Sequence, residues 1–156
     1  MRATCLALLL ALTGCTYDLF DDAYAVDDFR IGEVTGVFTG ERTFAAPGQP
    51  ARSVPATATI TDEGNGTAVV RIEFDGLVEE IVGSYSPSGF YADGEAVDGS
   101  YAFNWYADGD GFISGGAYAP TPENRRVYTG RLTRDHFDLL VRSQDGAVRD
   151  DLRTRR

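Results

Sequence analysis

The stretch TAVVRIEFDGLVEEIVGSY, residues 67–85, decides the fold class. From residue 67 to residue 74, apolar side chains stand at every even position and mostly polar ones stand between them. Alternation with a period of two is the pattern of a half-buried β-strand. Asp75-Gly76 is a strong hairpin turn signal, and the residues after it are rich in β-branched side chains. The stretch therefore predicts two antiparallel strands joined by a tight turn.

The same pattern of short strands and turns continues on both sides of this hairpin. Further strands are predicted at residues 32–44, 53–62, 90–97, 100–107, 112–119, 126–133 and 136–143. Turn signals recur about every ten residues, and such short connections make sequential strands pair antiparallel. About eight to nine such strands usually close, because closure removes exposed edges. We therefore predict an all-β, antiparallel up-and-down meander, closed or nearly closed into a small barrel, with a β-sandwich as the alternative.

The N-terminal segment has the composition of an export signal. Met1-Arg2 is followed by an apolar run that ends in Leu12-Thr13-Gly14-Cys15. The run is too short to span a bilayer as a helix, which needs about 20 residues. The tetrapeptide resembles the lipobox of bacterial lipoproteins. That resemblance implies a signal peptide at residues 1–14, and a diacylglycerol and an N-acyl chain on Cys15. We expect no other cofactor.

The residue after Cys15 bears on where such a lipoprotein would lie. It is Thr16, whereas Asp at this position tends to retain lipoproteins in the inner membrane of well-studied Gram-negative bacteria. By that rule, the resemblance implies the outer membrane, with the domain facing the periplasm, or the cell surface as the alternative. Stable attachment needs more than one acyl chain, and a lipobox cysteine normally carries two or three.

Composition divides the remaining chain into three parts. Residues 15–32 contain five Asp and are predicted to be a lipidated acidic tether, residues 33–143 to be the barrel-like domain, and residues 144–156 to be a frayed polar tail. An alternative stays open for the tether. The spacing of its apolar side chains would also allow it to pack on the domain as a short helix, or to close one end of a barrel. Those side chains are Phe20, Tyr24, Val26 and Phe29.

Charge excludes one class of partner. The chain has 24 acidic and 14 basic residues, for a net charge of −10. Such a surface repels nucleic acid, so we expect no DNA or RNA partner. A membrane-inserted barrel is also disfavoured, because outward positions such as Arg71 and Glu73 interrupt the apolar band that lipid requires.

No catalytic or metal-binding constellation is evident. Residues 106–113 resemble part of a calcium loop but lack the carboxylates at its first and last positions, so a hairpin turn is predicted. His136 has no nucleophile in a suitable context. Glu79 and Glu80 are adjacent on a strand and point to opposite faces, so they cannot form a glycosidase pair, although one of them can point into the barrel. We expect no enzymatic activity and no metal.

The aromatic side chains of the middle strands have binding potential. They either fill the core of a small barrel or line a cavity or surface for a small apolar ligand or an envelope protein. A cavity of at least about 300 Å³ would favour a ligand, and an exposed patch would favour a protein partner. The candidate surface comprises Tyr85, Tyr91, Tyr101, Phe103, Trp105, Tyr118 and Tyr128.

The aromatic-rich meander faintly resembles the lipocalin-type barrels, which include bacterial outer-membrane lipoproteins. Gly36-Val37-Phe38 stands where those proteins have Gly-x-Trp near the first strand. The resemblance implies a carrier of a small apolar ligand. We expect a membrane-anchored, non-enzymatic binding or interaction module of the cell envelope, with the lipocalin-like carrier as the alternative.

Overall fold

The computed structural model describes residues 28–45, 48–96, 101–117 and 125–156. A single helical turn, α1 (Ile31–Val34), precedes ten strands, and no helix in these ranges is long and apolar enough to cross a bilayer. The strands are β1 (Gly36–Ala45), β2 (Arg52–Gly64), β3 (Thr67–Phe74), β4 (Leu77–Ser86), β5 (Gly89–Glu95), β6 (Ala102–Asp108), β7 (Phe112–Ala117), β8 (Arg126–Leu132), β9 (His136–Ser143) and β10 (Arg149–Arg155).

The ten strands form one closed antiparallel barrel. Each strand pairs with the next, and β1 also pairs with β10, from Thr39 opposite Arg155 to Ala45 opposite Arg149. The predicted all-β meander is therefore confirmed as a closed small barrel, not a sandwich. The β3–β4 hairpin turns at Asp75 (φ 50°) and Gly76 (φ 77°). Two successive residues with positive φ are what a two-residue hairpin of matching twist requires.

The core lies inside the barrel and consists of the side chains on the inward face of the strands. The even-numbered side chains of β3 are all buried, as the alternation predicted. Trp105 lies at the centre, fully buried, with its ring centroid 5.4 Å from that of Phe90 and 6.0 Å from that of Phe137. A Cβ on Gly83 would lie 2.3 Å from the Phe90 ring. The glycine thus makes room for an aromatic side chain that the narrow interior could not otherwise hold.

The two ends of the barrel differ. The odd-numbered strands start at one end, here called the base, and finish at the other, here called the mouth. At the base, Phe29 is buried, stacks on Phe90 with centroids 6.3 Å apart, and donates its backbone N–H to the carbonyl oxygen of Pro87 at 2.7 Å. Residues 28–34 therefore cover the base.

This packing differs from the sequence prediction at the end of the tether and at the start of the first strand. Residues 29–32 lie on the barrel, as the alternative interpretation of the tether held, because Phe29 finds an apolar site at the base. Residues 32–34, which the sequence placed in the first strand, belong instead to α1. Residues 15–27 of the predicted tether, which include Cys15, lie outside the described residues, as does the predicted signal peptide.

The C-terminal segment is a second correction. The prediction of a frayed tail at 144–156 is wrong for Arg149–Arg155, which forms β10 and closes the barrel. Leu152 and Thr154 point inward and are buried, and the Thr154 hydroxyl donates to the carbonyl oxygen of Phe137 at 2.7 Å. The barrel therefore includes residues that the sequence assigned to no strand.

Ion pairs hold the outer side of β10. Asp151 is 3% exposed and accepts hydrogen bonds from Arg142 and from Nε and Nη2 of Arg149, the latter at 2.8 and 2.6 Å. Burial raises the pKa of the Asp151 carboxyl, but the bonds from Arg149 and Arg142 outweigh this and hold that pKa below its usual value. A polar strand is thus stabilised where apolar alternation is weak.

Candidate functional site

A cavity of about 160 Å³ lies inside the barrel near the mouth, and we call it the chamber. Its lining combines apolar side chains of β3, β9 and β10 with charged ones, although a charge inside a protein requires a partner. The polar and aromatic lining residues are Arg42, Glu79, Tyr101, Arg126, Tyr128 and Asp150. The polar part of this lining is the feature of the barrel that packing alone does not explain.

Arg42 is the centre of an ion cluster in the chamber. Its Nε donates to Oδ1 of Asp150 at 2.9 Å, and its Nη2 donates to Oδ2 of Asp150 at 2.6 Å. Its Nη1 donates to Glu79 at 2.7 Å. The side chains of Arg42, Glu79 and Asp150 are 14%, 11% and 22% exposed. Burial lowers the pKa of the Arg42 guanidinium, but the hydrogen bonds and charges of Asp150 and Glu79 raise that pKa by more than burial lowers it. Arg42 therefore stays charged.

Strand register explains why these three side chains meet. Arg42 continues the inward face of β1 that begins with Phe38, and Asp150 lies on the inward face of the paired strand β10. Glu79 reaches the same point from β4, which is not a neighbour of either strand. The neighbouring Glu80 points outward, with an oxygen 3.9 Å from Arg71. The expectation that the two glutamates face opposite sides is confirmed.

Arg126 is the second arginine of the chamber, and its environment is different. It is the first residue of β8, and its guanidinium carbon lies 5.2 Å from the centre of the Tyr101 ring. Its Nε and Nη1 atoms are buried and have no hydrogen-bond acceptor among the described residues. An unsatisfied buried donor costs about 1–3 kcal/mol, and more when it is charged. The two donors therefore mark a place where an acceptor from outside the fold would be stabilising.

Tyr101 and Tyr128 extend the polar surface of the chamber. Tyr128 is 3% exposed, and burial and then its interaction with Tyr101 raise the pKa of its hydroxyl, which stays protonated. The Tyr128 ring stacks on Phe103 with centroids 5.0 Å apart. The aromatic core thus fixes the orientation of the two hydroxyl groups beside Arg126.

The aromatic residues proposed from the sequence do not converge on one surface. Phe103, Trp105 and Tyr128 belong to the buried core. Tyr101 lines the chamber, whereas Tyr91 is 41% exposed on the outer wall. Tyr85 is half-buried at the base and donates its hydroxyl to Asp62 at 2.9 Å, and Tyr118 lies outside the described residues. Of the six that the structure describes, only Tyr101 and Tyr128 border the chamber.

The remaining candidates for chemistry lie apart from the chamber. Residues 106–113 form the β6–β7 hairpin turn, in which the Phe112 N–H donates to the Asp108 carboxylate at 2.8 Å. His136 begins β9 at the base, opposite Arg155. Within the described ranges, no group of three or more His, Cys, Asp or Glu side chains could hold a metal ion.

The sequence did not reveal Arg42, Arg126 or Asp150 as site residues. Their only signal is position: Arg42 and Arg126 each stand two residues from another inward-facing residue of the same strand. Asp150 stands out in the sequence only as one of two adjacent carboxylates, and its inward position was not predicted because β10 itself was not recognised.

Comparison with known proteins supports the fold alone. No protein-family model and no curated protein matches the chain. The crystal structure of a protein of unknown function from the DUF3598 family of Nostoc punctiforme is similar, with a TM-score of 0.57 and 14% sequence identity. The match covers 83% of this chain and 49% of that protein, so the chain spans about half the length of its structural relative.

Proposed function

We propose that this protein is an outer-membrane-anchored lipoprotein whose barrel is a non-enzymatic binding module, with the chamber as its binding site. The buried Nε and Nη1 donors of Arg126, which have no acceptor among the described residues, are the observation that carries the binding function. A folded domain gains nothing from a buried donor without an acceptor, so a ligand that supplies the acceptor explains why the arginine is there.

The sequence of the N-terminal segment supports the anchor. The lipobox-like tetrapeptide ends at Cys15, and the chain reaches the barrel at its base, where Phe29 packs. The mouth is at the other end of the strands. An anchor on Cys15 would therefore place the base toward the membrane and leave the chamber facing the periplasm, or the medium if the protein is displayed on the cell surface.

The chamber also favours a small, partly polar ligand over the apolar cargo of a lipocalin-like carrier. Its volume is about half of the 300 Å³ or so at which ligand pockets usually begin, and four charged side chains line it. A long acyl chain would have neither the room nor the apolar surroundings that it needs.

An envelope protein as the partner is the second candidate, supported by apolar side chains on the outer wall. The exposed ones are Val37, Leu77, Val78, Val82, Tyr91, Phe112 and Val127. Four of them lie on the paired strands β4 and β5, and the other three are divided among β1, β7 and β8, whereas a protein interface would be expected to need one contiguous patch. The chamber is therefore the stronger candidate.

Two experiments test the proposal. Replacing Cys15 by Ala should move the protein from the membrane fraction to the soluble periplasmic fraction, and a variant that stays with the membrane would contradict the anchor. Native mass spectrometry of the full chain, purified from its own host, should detect a small molecule that is lost on denaturation. A bare mass would weigh against binding in the chamber and in favour of a protein partner.

A further inference from the structure

The chamber contains two arginines, and only one of them has its donors satisfied. Nε, Nη1 and Nη2 of Arg42 each donate to Asp150 or Glu79. Nε and Nη1 of Arg126 are buried and have no acceptor in the described part of the chain. We propose that the chamber binds a small organic acid, with its carboxylate on Arg126 and its apolar body on the aliphatic part of the lining. This inference rests on the proposed binding function and names the class of ligand.

The state of Arg126 indicates the charged end of the ligand. A guanidinium that is buried at two nitrogens loses water at both, and neutral acceptors would restore only part of that loss. A carboxylate brings two acceptor oxygens and a negative charge in one group, and charge-assisted hydrogen bonds are about twice as strong as neutral ones. Arg42 cannot serve this purpose, because Asp150 and Glu79 already neutralise it.

The hydroxyl groups beside Arg126 suit the same ligand. The Tyr101 ring lies under the guanidinium, and the Tyr101 side chain is near enough to raise the pKa of the Tyr128 hydroxyl. The two hydroxyls carry two O–H donors, and a hydrogen bond between them would use one and leave a second. That donor is available to a carboxylate oxygen next to Arg126.

Volume and wall chemistry indicate the body of the ligand. A buried apolar cavity of about 150 Å³ in another protein accommodates benzene, and the chamber of about 160 Å³ is of that size. Ile72, Leu139 and Leu152 supply an aliphatic wall. A compact branched or cyclic body fits this space, whereas a fatty acid or a phospholipid does not.

Isothermal titration calorimetry of the full chain with isovalerate and isovaleramide tests the proposal. The two probes match in size and shape, and only isovalerate is charged. We expect isovalerate to bind at least about tenfold more tightly than isovaleramide. Arg126→Gln should weaken isovalerate binding by about tenfold or more. The matched control is Arg131→Gln, on the outer wall of the same strand above Phe112, which should leave the affinity unchanged.

The variant also reports on its own folding. Because Arg126→Gln removes buried donors that lack an acceptor, it should unfold at a urea concentration no lower than the wild type does. A folded variant that keeps its affinity for isovalerate would overturn the proposal. Equal affinity of the wild type for isovaleramide, or binding of neither probe, would do the same.

Native mass spectrometry separates this failure from failure of the binding function. A retained host molecule that has an acid group, and that is absent from Arg126→Gln, is the expected result. A retained molecule without an acid group would overturn the ligand class and leave the binding function standing. No retained mass, together with no titration signal from either probe, would remove both.

Discussion

Replacing Arg42 by Met should destabilise the barrel more than any change on its outer wall. Met keeps an unbranched apolar stem over Phe74, whose ring lies 4.0 Å from the guanidinium carbon, but it removes the charge and every hydrogen bond to the two carboxylates. Glu79 and Asp150 would then remain inside the chamber without the cation that pairs with both of them. Removing one partner of a buried ion pair costs about 3–5 kcal/mol. Because Asp150 is 22% exposed and water can reach it, we expect about 3 kcal/mol.

Urea unfolding followed by tryptophan fluorescence measures this loss. Trp105 is the only tryptophan and is fully buried, so its emission should shift to longer wavelength as the barrel opens. Arg131→Met is the matched control, since that side chain lies on the outer wall with its guanidinium carbon 5.1 Å from the Phe112 ring. It should cost no more than about 1 kcal/mol. A free energy of unfolding of Arg42→Met within about 1 kcal/mol of the wild-type value would refute the reasoning.

A triple variant identifies the cause of the loss. If unpaired charge is responsible, then adding Glu79→Leu and Asp150→Leu to Arg42→Met should restore most of the stability, because apolar side chains can replace a buried ion cluster at little cost. If the triple variant is as unstable as Arg42→Met alone, the loss comes from packing, and the assignment to buried charge fails.

Two further predictions concern the segments that the sequence misassigned. Asp151→Asn should cost about 1–2 kcal/mol at neutral pH. The folded-state pKa of Asp151 lies below 3.8, so the stability that the carboxylate gives the barrel is complete above about pH 4 and is lost as the pH falls further. The urea midpoints of the wild type and the variant should therefore converge below pH 4. A difference between the two midpoints that stays constant with pH would contradict this. Phe29→Ala should lower the free energy of unfolding by about 3 kcal/mol, because it uncovers Phe90 at the base. The control Phe112→Ala, on the outer wall, should lower it by less than about 1 kcal/mol. Equal losses in the two variants would refute the packing of residues 28–34 on the base.

Most strands were predictable from the sequence because their two faces differ in polarity. In β3 and β9 the alternation is clear, and the predicted bounds of both agree with the structure. The pattern failed at β10, where Leu152 is the only apolar residue among the inward positions. There the strand depends on the ion pairs of Asp151 and on the pairing partners β1 and β9, and neither is visible in a seven-residue window.

The chamber was not predictable, because its members meet only after the barrel closes. Arg42 and Asp150 are 108 positions apart, and they become neighbours only through the pairing of β1 with β10. Inward-facing charges also resemble outward-facing ones until the register is known. For the aromatic residues, the sequence could not separate core members such as Trp105 from Tyr101 at the chamber.

The pairing of β1 with β10 has a consequence for how the chain acquires its structure in the cell. Until β10 has emerged, the nine earlier strands form an open sheet with two unsatisfied edges, which can pair with other chains. Folding must therefore wait for the last strand of the barrel to be synthesised. Truncation within β10 should leave both edges open and cause aggregation. Because the beginning of β1 and the end of β10 lie side by side, a circular permutant joined there should change the order of assembly and leave the barrel intact.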